Sequence, residues 1–183
     1  MFTRIKKRRS QSLTDYRKRI ALLSGGRPRV VVRKSNRSIL VQIVDFHPEG
    51  DRVLTSTTSG ILRKFGWEPR GNIPTAYLTG LAAARIAQTK NLKLNELVLD
   101  IGLNKPQKSS VVFAAARGAV DGGLKIASNI EFDANRLKGA HIANYAKEQK
   151  GKGAFTAYAE RKFDPERMVE NFEAAKKRIL EMK

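Results

Sequence analysis

The chain has 183 residues, with 36 Lys plus Arg against 17 Asp plus Glu, a net charge of +19. That excess is far beyond what solubility needs and points to a polyanionic partner. There is no cysteine, which excludes disulfides and thiolate metal sites. The longest apolar run, Val111 to Ala116, is too short to span a bilayer, and the basic start is not followed by a signal-type core, so a cytoplasmic protein is expected. Its length suits one domain with an elaborated terminus.

Charge is concentrated at the amino end, where residues 1 to 37 carry thirteen basic side chains and one acid, Asp15. Residues 1–12 have almost nothing to bury, and a disordered basic tail bearing Arg4, Lys6, Lys7, Arg8 and Arg9 is expected. Such a cluster serves a nucleic acid or, more blandly, a localisation signal. Ser12 and Asp15 read as a capping box opening a helix closed by Gly25-Gly26, with Leu13, Tyr16, Ile20 and Leu23 as its core stripe.

Arg27 to Val44 reads as an antiparallel hairpin. Val30, Val31 and Val32 form one arm, Ser35 and Asn36 the turn, and the nearly all-apolar Ile39 to Val44 the return arm, expected to be buried on both faces. Its tip carries Arg33, Lys34 and Arg37 with Ser35, Asn36 and Ser38 as donors, a prong suited to a phosphate backbone or else an ordinary solvated hairpin end.

Val53 to Ser59 follows as a third strand and Ile61 to Phe65 as a short helix. Trp67, the only tryptophan, lies between Lys64 and Arg70; its ring suits core packing or stacking on a base. Ile73 to Lys90 is a helix with Pro74 in its first turn, and its small residues permit close approach to a sheet. Asn95 to Gly102 fits a central parallel strand, and Ser109 to Ala127 a second helix rich in Ala and Gly. The expected fold is α+β (α/β layered): a mixed β-sheet with helices packed on it. Residues 13–128 would form this domain and residues 129–183 a helical extension, with a helix over Ala134 to Lys147, a flexible break at Gln149 to Gly153, and a last helix opened by Asp164 as N-cap, Pro165 in the first turn and Glu166, with Met168, Phe172, Ala175, Ile179 and Met182 on one stripe.

No nucleotide-binding loop, nucleophile motif or metal-ligand spacing is present, and His47 and His141 read as structural. Asp45, Asp100 and Asp121 are the acids that a metal-dependent nuclease would need, although Asp100 stands alone in its strand. No catalytic residue, metal or cofactor is assigned. A general basic RNA chaperone is a further alternative.

The blocks TDYRKRIALLSGGRPRVVVRKSNRSILVQIV, GW with GNIPTAYLTGLAAARIA, LVLDIGL, SSVVFAAARGAVDGGL and GAHIANYA resemble the family of the eighteenth large-subunit ribosomal protein, which carries 5S rRNA. The likeness runs from about Thr14 to about Ala146 and is nearest to archaeal members. The resemblance implies a ribonuclease H-like topology without catalysis and a place in the central protuberance. It also implies 5S rRNA, 23S rRNA, the ribosomal protein that co-binds 5S rRNA and other central protuberance proteins as partners, with no membrane and no small-molecule substrate. The rRNA contacts it implies are Arg4 to Arg9, Tyr16, Arg17, Lys18, Arg19, Arg27, Arg29, and Arg33 to Ser38, with Gly71 and Asn72 beside them. Lys64, Trp67 and Arg70 complete the candidate set.

Overall fold

A computed structural model describes residues 7–92, 94–127, 130–149 and 155–182. Arg4, Lys6 and most of the expected break after Gln149 lie outside the described residues. In the described part of the expected tail, Lys7–Ser10 (α1) forms one exposed helical turn and Gln11 and Ser12 follow as a turn.

Three antiparallel strands, β1 (Arg29–Lys34), β2 (Ile39–Asp45) and β3 (Arg52–Thr58), are joined by β4 (Val98–Asp100) in the order β3-β2-β1-β4. β4 runs parallel to β1, as expected, but is a three-residue edge strand rather than a central one. A mixed sheet under helices is the α+β fold expected, and its order is compatible with a ribonuclease H-like topology.

Alternation along β1 and β2 decides which face is closed. Val30, Val32, Ile39, Val41 and Ile43 are buried in the core with Leu97 and the helices α3 (Ile73–Thr89) and α4 (Val111–Asp121). The opposite face carries Arg29, Val31, Arg33, Leu40, Gln42 and Asp100 and is only partly covered, with Leu40 and Gln42 half-buried. The return arm is therefore buried on one face and only partly on the other, where Val44 is covered but Leu40 and Gln42 are half-buried.

Small residues let the two long helices meet each other as well as the sheet. A Cβ on Gly80 would overlap the Ala115 carbonyl, and one on Gly118 the Tyr77 carbonyl. Asn72 caps α3, its Oδ1 accepting from Thr75 N at 3.1 Å, and Pro74 sits where a missing N–H costs nothing.

A second core joins the carboxy-terminal residues to the sheet domain. Met168, Phe172, Ala175 and Ile179 of α8 (Met168–Leu180) are buried against Trp67, Tyr77, Leu78 and Leu81; the helix starts at Met168 and not at Pro165, because the Asp164 carboxylate closes a local turn on Glu166 N instead of capping it. The expected long helix from Ala134 breaks at Gly139, whose φ of +80° ends α5 (Ala134–Lys138) before α6 (Ala140–Glu148) begins. A short turn, α7 (Thr156–Ala159), buries Tyr158.

Candidate nucleic-acid interface

The first helix departs most from expectation. α2 (Tyr16–Leu23) is capped by Asp15 itself, whose carboxylate accepts from Arg17 N and Lys18 N, while Ser12 sits outside the helix at φ +52°. It buries no residue; Leu13 and Ile20 of the expected core stripe are 52% and 68% exposed. Periodicity marks an apolar face without saying whether the fold supplies anything to cover it.

Ion pairing holds α2 in place. Asp51, in the turn before β3, accepts from Arg19 at 2.9 Å and from Arg29 at 2.8 Å. Arg29 is 2% exposed and also reaches Asp100 at 3.3 Å. Burial pushes the Asp51 carboxyl up, but the hydrogen bonds and charges of Arg29 and Arg19 outweigh it and hold the group below its ordinary value. Arg33 donates to the Asp100 carbonyl at 2.9 Å and to its carboxylate at 3.0 Å. Arg29 is thus buried and paired with two carboxylates, which leaves its guanidinium no exposed face for the phosphate contact expected of it.

The hairpin pairs in register from Arg29↔Val44 to Lys34↔Ile39, leaving Ser35 to Ser38 as the loop. Within that loop the Ser35 hydroxyl bonds to Ser38, accepting its N–H at 2.9 Å. Lys34, Ser35, Asn36, Arg37 and Ser38 are all exposed. Arg33, folded back onto Asp100, belongs to the arm and not to the tip.

The tail, α2 and the hairpin arm do meet. A cleft of about 700 Å³ between α2 and the loop after β4 is lined by Arg8, Lys18, Arg19, Arg33 and Lys34, with Leu13 and Leu103 beside them. Lys7, Arg9 and Arg17 are exposed, and Arg27 is half-exposed beside Glu96 at 2.7 Å. Tyr16 is half-buried.

On the far side of the hairpin tip, Gly71 packs so closely that a Cβ there would lie 2.7 Å from the Asn36 carbonyl. The Gly71-Asn72 pair and the prong therefore belong to one surface. Lys64 is exposed; Arg70 stacks on Tyr158, 5.2 Å from the ring centroid, and donates to the Ala157 carbonyl. Trp67 is 1% exposed, donates to Thr75 Oγ1 at 2.9 Å and packs edge-on against Phe163 and Phe172. No face of its ring is open to a base, so of its two sequence readings the core one holds.

The acids that a nuclease would need are spread apart and occupied. Asp100 accepts from two guanidinium groups and from Gly102 N, while Asp121, at the end of α4, accepts from the Tyr77 hydroxyl at 2.8 Å and pairs with Arg117 at 3.0 Å. Asp45 accepts from Phe46 N at 3.0 Å. Among the described residues no three His, Cys, Asp or Glu are grouped to hold a metal, and no helix is long and apolar enough to cross a membrane.

Cations drawn from three chain segments onto one rigid surface, with the carboxylates behind them holding arginines, define a scaffold of the polyanion-binding class. Residues 2–98 match the family model described as ribosomal large subunit proteins 60S L5 and 50S L18. The large ribosomal subunit protein uL18 of Haloarcula marismortui is 49% identical over 142 residues, covering 76% of this chain and 75% of that one. Those of Thermofilum pendens and Korarchaeum cryptofilum are 42% and 41% identical, each covering 96% of this chain and 93% of their own. The chain belongs to this family of large-subunit ribosomal proteins. Its role is that of a structural constituent of the ribosome, associated with rRNA.

Proposed function

We propose that the protein binds 5S rRNA and helps attach it to 23S rRNA in the central protuberance, beside the ribosomal protein that co-binds 5S rRNA, in cytoplasmic ribosomes and without catalysis. The observation that carries this reading is the convergence of Arg8, Lys18, Arg19, Arg33 and Lys34 on one cleft, with the exposed tip residues Asn36 and Arg37 next to it. Arg9 and Arg17 line a groove that shares Thr14, Asp15 and Leu103 with this cleft, Arg27 is exposed before β1, and Gly71 and Asn72 meet the tip from its other side.

Folded RNA presents phosphates and 2′-hydroxyls at fixed spacing, so a rigid set of cations recognises it by shape. The exposed lysines neutralise phosphates as point charges. Arg19 and Arg33, already fixed by carboxylates, present what remains of their guanidinium groups in a set orientation, which a lysine could not reproduce.

Filter binding of the full chain to a 5S rRNA transcript, against an unrelated structured RNA of equal length, tests the reading. Preference for 5S rRNA that persists at 150 mM salt supports it. Equal binding to both RNAs would instead indicate a general basic chaperone.

A further inference from the structure

A second cleft, of about 550 Å³, opens where the hairpin tip meets the carboxy-terminal helices. One end is formed by Asn36, Gly71 and Asn72, and the other by Tyr145, Phe155 and Tyr158. It combines exposed aromatic surface with amides at the edge of a basic prong.

The rings form a series that runs inward. Tyr145 meets Phe155 edge-on at 5.8 Å, Phe155 lies 6.0 Å from Tyr158, Tyr158 lies 5.2 Å from Phe163, and Phe163 lies 5.4 Å from the buried Trp67. Tyr145, the outermost, is 51% exposed. Its neighbours fix its position while leaving part of its ring uncovered.

The polar groups around it are held in place too. Asn72 donates to the Tyr158 hydroxyl at 3.0 Å while its own oxygen caps α3, and Arg70 lies over the Tyr158 ring. His141 also lines the cleft, and burial followed by the charge of Arg136 lowers its pKa, so at neutral pH it is an uncharged donor and acceptor. Asn36, exposed at the tip, also lines the cleft and brings an amide to its rim.

We infer that this cleft accepts an unpaired nucleobase of the bound RNA, stacked on Tyr145 beside Phe155, with Asn36 at its edge. The inference rests on the RNA-binding reading and deepens it: phosphates held at Lys34 and Arg37 deliver the strand to the cleft, because Asn36 belongs to both surfaces. Continuity with the cationic tip favours RNA over an apolar peptide, which would gain nothing from those charges. Every base offers a π-face, and a stacked base on an aromatic side chain contributes about 1–3 kcal/mol.

The test uses the full chain and a 5S rRNA transcript, comparing the protein with Tyr145→Leu, Tyr145→Phe and Lys34→Gln/Arg37→Gln over a salt series. Tyr145→Leu is expected to bind roughly 5- to 150-fold more weakly with the slope of log K against log salt unchanged, and Tyr145→Phe near normally. Ultraviolet crosslinking of the unmodified complex should join the peptide carrying Tyr145 or Phe155 to an unpaired nucleotide. If Tyr145→Leu binds as the natural chain does, and crosslinks fall only on α2 and hairpin peptides, the inference fails and the cleft is left to a protein segment. In that event a weakened Lys34→Gln/Arg37→Gln variant would still uphold RNA binding itself. Failure of the natural chain to bind the transcript would overturn both.

Discussion

Arg19 and Arg29 converge on a single oxygen, Oδ2 of Asp51, at 2.9 and 2.8 Å. One of the two is almost wholly buried and the other is on an exposed helix that buries nothing of its own. The carboxylate therefore ties the position of α2 to the sheet. An isolated eight-residue helix is marginal in water, so this tether and the Asp15 cap matter more than they would on a helix with an apolar footing.

Asp51→Asn separates two accounts by sign. If charge alone mattered, removing an anion from the basic face would tighten RNA binding. If Asp51 positions α2 and Arg19, binding weakens, by roughly tenfold, the worth of about one charge-assisted contact. The tighter or weaker Kd for 5S rRNA at fixed salt decides, with circular dichroism confirming that the variant is folded.

The same group sets an acid limit. The folded Asp51 pKa lies below its ordinary value of 3.8, so the unfolded chain binds the proton first as pH falls. Its contribution is fully present above that value and is lost as pH drops through the lower folded one. Thermal melts below pH 4 should therefore fall more steeply for the natural chain than for Asp51→Asn.

Tyr77 acts in the opposite direction. Burial, then the hydrogen bond to Asp121 and that group's charge, raise its pKa above 10.0. The unfolded chain loses this proton first as pH rises, so the stabilisation is complete below pH 10 and declines above it. Tyr77→Phe should flatten the alkaline limb of a stability profile.

Gly118→Ala tests the contact between the long helices. In a free helix this change stabilises by about 0.5–1 kcal/mol. Here the added Cβ would overlap the Tyr77 carbonyl, and a net loss of about 1–3 kcal/mol is expected in urea unfolding.

Phe172→Ala tests the packing of the carboxy-terminal helix on the sheet domain. Phe172 is 2% exposed and meets both Trp67 and Tyr77. A loss of about 3–5 kcal/mol is expected, and Trp67 emission should shift to the red as water reaches the indole.

What was legible in the sequence follows from what local pattern encodes. β-branched arms around Ser35-Asn36 mark the hairpin, Pro74 marks the start of α3, and the spacing of Met168, Phe172, Ala175 and Ile179 marks the buried stripe of α8. That Leu13 and Ile20 stay exposed while Tyr16 and Leu23 are half-buried was not legible, because the same periodicity serves a covered face or an open one. Arg29 looks like any surface cation until the turn that carries Asp51 folds beside it. The cleft at Tyr145 depends on residues 36, 72, 145 and 155 meeting, which no local spacing announces.

The central claim is that exposed cations gathered from α2 and the hairpin tip grip RNA phosphates. It is tested most directly by the salt dependence of 5S rRNA binding for the natural chain and for Lys18→Gln/Lys34→Gln/Arg37→Gln. With about six to ten phosphates engaged, affinity of the natural chain should fall roughly 10³- to 10⁵-fold between 50 and 200 mM salt. The triple variant should bind more weakly, with a slope shallower by about three and an unchanged thermal transition. An identical slope and affinity in the variant would contradict the account.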